Sequence, residues 1–115
     1  MALTTNTQTQ AAGVLNYATG YVVTDAAAAV NTTFVVGFTP RSIRVYNVTD
    51  GISDEWFAGM ANGSALHTVA AGTRTLAASP TGITVGTAAG GDAGSFTIPA
   101  ALIPASKTLI WEAQG

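Results

Sequence analysis

A catalytic or metal-binding site needs reactive side chains at workable spacing, and this 115-residue chain offers few. His67 is its only histidine, so a histidine-rich metal site cannot be built. Ser42, Ser53, Ser64, Ser79, Ser95 and Ser106 could in principle join His67 and an acid, but none sits in a Gly-x-Ser-x-Gly turn. His67 is therefore read as structural. Asp50, Asp54 and Glu55 cluster in sequence and could offer oxygens to a hard cation, but their spacing does not match an EF-hand loop. They read as a solvated acidic turn, and a glycosidase pair of carboxylates is not expected. Gly86-Thr-Ala-Ala-Gly-Gly91 lacks the Lys-Ser/Thr ending of a phosphate loop and reads as a mobile loop. Without cysteine there is no thiolate nucleophile, thiolate metal site or disulfide. No cofactor or metal and no catalytic residue are expected, and the chain is read as non-enzymatic.

Residues suited to contact are easier to find. Arg41 and Arg44 flank the start of a strand, and arginines there suit bidentate carboxylate contacts across an interface. Trp56, Phe57 and Trp111 are either the large core residues of a small-residue domain or an aromatic platform for sugars. Arg41, Arg44, Trp56 and Phe57 are taken as candidate interface residues. Asn31-Thr-Thr33, Asn47-Val-Thr49 and Asn62-Gly-Ser64 match the N-glycosylation pattern, but the first ten residues have no basic n-region or apolar core, so no secretory leader is expected.

Composition narrows the partners. Charged residues are 9% of the chain, against roughly 25% in an average soluble domain. With four basic and six acidic residues, the net charge is −2. Such a chain neutralises few phosphates, so nucleic acid and anionic membrane surfaces are not expected partners, nor is a small-molecule substrate. Apolar residues make up 48% but aromatic ones only 8%, so alanine and valine carry much of the hydrophobicity and bury little area each. A thin core and few surface charges fit a module whose surface is covered in its working state.

These residues must be positioned by strands. Phe34, Val36 and Phe38 alternate on one face, and Pro40 ends that run. Ile43, Val45 and Asn47 share one face, and Arg44, Tyr46 and Val48 the other. Thr49-Asp50-Gly51 and Ala61-Asn-Gly-Ser64 are turns. Ser53 to Met60 resembles a helix start at Ser53, but a strand carrying Trp56 and Ala58 on one face fits as well. Asp25 could cap a helical turn over Ala26–Val30; a bend or small-residue strand is preferred, because four alanines do not hold a helix. Residues 14–24 suggest one or two strands around Gly20, and further strands are expected at 65–69, 73–76, 83–85, 95–98 and 107–112. Seven to nine short strands with turns between them predict an all-β fold, a small β-sandwich or jelly-roll-like barrel. Residues 1–12, rich in Thr, Gln and Asn, read as an extended N-terminal arm, with 13–115 as a single β domain.

The run Val36-Gly-Phe-Thr-Pro-Arg-Ser-Ile-Arg-Val-Tyr-Asn-Val-Thr-Asp50, then Asp54-Glu-Trp-Phe-Ala-Gly-Met60, Ala71-Gly-Thr-Arg-Thr75 and Gly82-Ile-Thr-Val85, resembles small virion structural proteins of tailed bacteriophages. Within that group the chain is most similar to head decoration (cement) proteins. The resemblance implies a homotrimer on the outer capsid surface in the virion, assembled in the host cytoplasm, that locks adjacent major capsid proteins together. It carries over no catalytic residue. The chain lacks the proline-rich N-terminal pattern of some decoration families. The alternatives are a phage tail or fibre module and a glycan-binding β-sandwich.

Overall fold

The computed structural model describes residues 3–10, 16–86 and 94–115. It is an all-β sandwich of two antiparallel sheets, as the strand spacing predicts. The strands are β1 (Leu3–Gln10), β2 (Tyr17–Thr24), β3 (Thr32–Val35), β4 (Ser42–Asn47), β5 (Ile52–Phe57), β6 (Ala65–Thr68), β7 (Arg74–Ala77), β8 (Thr84–Val85), β9 (Ser95–Ile98) and β10 (Thr108–Gln114). The larger sheet has the order β1-β2-β10-β4-β5-β6-β7, and the smaller has the order β3-β9-β8. A single 3₁₀ turn, Ala100–Leu102, follows β9.

Alternation decides which side chains meet. On the larger sheet Ala18, Val22, Ile43, Val45, Trp56, Leu109, Trp111 and Ala113 point inward and are buried. Phe34, Phe96 and Ile98 of the smaller sheet close over them. The centre is an aromatic trio: Phe34 and Phe96 stack at 5.4 Å between ring centroids, and Trp111 meets them at 5.3 and 5.0 Å. Phe34 and Phe96 are direct register partners on β3 and β9. Trp111 faces Gly20 across β10 and β2, and only a residue without a side chain leaves room there for the indole.

Residues 3–10 of the expected arm are extended, and they run as strand β1 along β2 of the same chain. Residues 1, 2, 11 and 12 of that arm and the glycine-rich segment 87–93 lie outside the described residues. Segment 17–24 is one strand rather than two, because Gly20 sits within the ladder opposite Trp111. The stretch after Asp25 is a bend, with the Asp25 carboxylate accepting the Ala27 N–H at 3.0 Å. Over 52–57 the strand prevails over the helix start, since β5 lies between β4 and β6 and buries Trp56.

Candidate functional site

Two places concentrate polar chemistry or exposed apolar surface. The first is inside the sandwich. Asn47 ends β4 on its inner face, Asp54 lies inward on β5, and His67 stands opposite Asp54 on β6. His67 Nδ1 lies 2.6 Å from Asp54 Oδ1, so the proton of this hydrogen bond sits on Nδ1 when the carboxylate is ionised. Asp54 is almost wholly buried, while the His67 side chain is 27% exposed. Burial pushes the Asp54 carboxyl above the usual carboxylate range, and the hydrogen bond and charge of His67 pull part of that back.

Beside this pair the turn after β4 is tied to β10. Asn47 donates through Nδ2 to Asp50 Oδ2 at 3.0 Å and accepts the Asp50 N–H at 3.0 Å. Lys107 Nζ donates to Asp50 Oδ1 at 3.0 Å and holds that carboxyl below its ordinary range. Asn47, Asp50, Asp54 and His67 line a cavity of about 60 Å³ with Val45, Ile52 and Leu102 among its apolar walls. That is room for a few waters, whereas small-molecule sites run to roughly 300–1,000 Å³. The dyad can hold or pass a proton, but no hydroxyl or thiol stands among the described residues lining the cavity.

The three acids of the sequence cluster do not converge on one site, although Asp50 and Asp54 border the same cavity. Asp50 turns to Lys107, Asp54 points inward to His67, and Glu55 points outward to Arg44 and Arg74. Strand alternation separates Asp54 from Glu55. Among the described residues no group of three His, Cys, Asp or Glu side chains could hold a metal ion.

The second place is the outer face of the larger sheet. Tyr21 on β2, Ile110 on β10 and Tyr46 on β4 are register partners, so they form one row across three adjacent strands. They are 43%, 41% and 38% exposed, high values for side chains of this size. A parallel row carries charge: Arg44 bridges Glu55 on one side and Glu112 on the other, each at 3.4 Å, and Arg74 reaches Glu55 at 3.7 Å. Tyr17 donates to the same Glu112 at 3.1 Å, and this hydrogen bond leads the causes that raise the Tyr17 pKa. Such exposed pairs contribute little stability, about 0–1 kcal/mol each, so their effect is to order the face.

The residues singled out from sequence divide. Arg44 lies on the outer face, and Phe57 is half-buried on the same face, in register with Ser42. Arg41 is exposed just before β4, where its backbone N–H donates to Gln114 and its carbonyl accepts from Ala58. Trp56 and Trp111 are both core residues; Trp56 Nε1 donates to the Ala61 carbonyl at 3.2 Å. No sugar platform forms from the two tryptophans. Sequence reasoning missed the Asp54–His67 pair and the Tyr21–Ile110–Tyr46 row. The available signal was parity, since each member alternates correctly, but parity does not say which strands are neighbours.

No family model, curated protein or solved structure matches this chain. No helix among the described residues is long and apolar enough to cross a membrane.

Proposed function

We propose that this chain is a non-enzymatic structural protein of a tailed-phage virion, a head decoration protein. It binds the outer capsid surface and stabilises contacts between major capsid proteins. The observation that carries this reading is the in-register row Tyr21–Ile110–Tyr46 on the open face of the larger sheet, in a chain with only 9% charged residues. Aromatic and aliphatic side chains held on a rigid sheet are the usual anchors of protein interfaces. Arg44, already ordered by Glu55 and Glu112, adds directional donors at the edge of that row. The reading is further supported by the resemblance carried by the runs between Val36 and Val85. The cavity beside the Asp54–His67 pair, about 60 Å³, has room for a few waters and not for a substrate of ordinary size.

Undecorated heads assembled from the major capsid protein of the same virus provide the test. The wild-type chain is expected to co-sediment with them. Tyr46→Glu, which places an unpaired charge at one end of the row, is expected to weaken binding roughly thirtyfold, equivalent to about 2 kcal/mol, with the thermal midpoint unchanged. Binding that survives both Tyr46→Glu and Ile110→Glu would refute this face as the contact.

A further inference from the structure

The two sheets have four edges, and they are not alike. In the smaller sheet the edge strands β3 and β8 have four and two residues. In the larger sheet β7 has four residues, begins with Arg74 and is followed shortly by Pro80. Short length, charge and nearby proline are the ordinary means of keeping an edge from pairing with another chain. The remaining edge, β1, has none of them. It runs for eight residues, Leu-Thr-Thr-Asn-Thr-Gln-Thr-Gln, with no charged residue, proline or glycine. Among the described residues its only strand partner is β2. A backbone edge of that length presents a full row of donors and acceptors to a second strand.

We propose that this edge pairs with β1 of a second copy of this chain. Length selects the partner. The other exposed edges offer at most four residues, so only another β1 matches along the whole strand. Like-charge repulsion does not arise, because neither strand carries a charge. Symmetry then sets the register. Two identical strands that pair antiparallel are related by a two-fold axis normal to the sheet, which keeps each face on its own side. Opposed residues must therefore have the same parity, so one residue faces its own copy. The ladder to β2 shifts register between Leu3 and Thr5 and is regular from Thr5 to Gln10, and a two-fold axis at Thr7 pairs residues 4–10 of the two strands. Thr7 faces Thr7, Thr5 faces Thr9, and Asn6 faces Gln8. The two seven-stranded sheets become one of fourteen, with both Tyr21–Ile110–Tyr46 rows on the same side.

This pairing does not rest on the decoration reading. It uses the sheet edge, not the sheet face, and combines with a trimer as a dimer of trimers. The chain has no cysteine, so a single introduced thiol reports the contact cleanly. Thr7→Cys is expected to form a disulfide-linked pair of chains under mild oxidation. In the pair the local thiol concentration is on the order of millimolar, so at micromolar protein its cross-linking should be roughly a hundredfold or more faster than that of Thr75→Cys on β7. Thr7→Lys, which adds one positive charge to each strand at the two-fold axis, should halve the solution mass while leaving the near-ultraviolet circular dichroism unchanged. Cross-linking of Thr7→Cys no faster than Thr75→Cys would overturn the proposal, as would an unchanged mass for a folded Thr7→Lys. An odd-order oligomer without the Thr7 cross-link would refute the edge contact and leave the capsid reading standing.

Discussion

Gly20→Ala is expected to destabilise the chain by about 3 kcal/mol, the upper part of the range for overpacking a core. A Cβ at position 20 would run into Nε1, Cε2 and Cζ2 of the Trp111 indole. The indole cannot move aside, because it is fully buried and pinned by Phe34 and Phe96 on its other contacts. Its N–H has no hydrogen-bond partner among the described residues, so no polar anchor would guide it to a new position. For a chain of this length the thermal midpoint should fall by roughly 10 °C, read by circular dichroism. The cause is checked by a double-mutant cycle. Trp111→Leu is itself destabilising, yet it removes the part of the side chain that the new methyl meets, so Gly20→Ala should cost much less in that background. Additive costs would show that the methyl acts through the backbone of β2 instead.

The second large effect is electrostatic. His67→Ala should cost about 3 kcal/mol at neutral pH, the low end for breaking a buried pair, because His67 is partly exposed. The loss should depend on pH in a defined direction. Burial raises the Asp54 pKa above 3.8, so the folded chain holds that proton more tightly than the unfolded chain. The stability linked to it is complete below the unfolded value and is lost as pH rises through the folded value. His67 offsets part of that loss through its hydrogen bond and charge. Without it the carboxyl pKa climbs further, so the deficit of the variant grows from the acid side toward neutral pH and narrows in acid. Urea unfolding at a series of pH values measures this. Adding Asp54→Asn, which removes the buried charge, should restore much of the loss and flatten the pH dependence. A deficit that is the same at every pH would show that His67 acts only by filling space.

Much of the fold was legible in the sequence because local alternation sets it. Phe34, Ile43, Val45, Leu109 and Trp111 are buried as their spacing predicts; Val36 and Phe38 are buried too, but outside the expected strand, since β3 ends at Val35 and Gly37 turns the chain at a φ of +82°. The turns at Asp50–Gly51 and Asn62–Gly63 fall where positive-φ glycines are needed, at +71° and +90°. What was not legible is non-local. β10 inserts between β2 and β4, joining the last strand of the chain to two early ones, and nothing in a local window carries that pairing. The row Tyr21–Ile110–Tyr46 exists only because of it. Asp54 and His67 are close in sequence, but their meeting depends on the β5–β6 register set by the turn through Gly59 and Gly63. The same gap hid the divergence of Asp54 and Glu55, which follows from alternation only once β5 is known to be a strand.

A protein that functions by association is tested most directly by its solution mass. Light scattering on the purified chain, from micromolar concentration downward, should give a stable multiple of the 11.5 kDa chain mass. A well-folded species of 11.5 kDa at every concentration would contradict it.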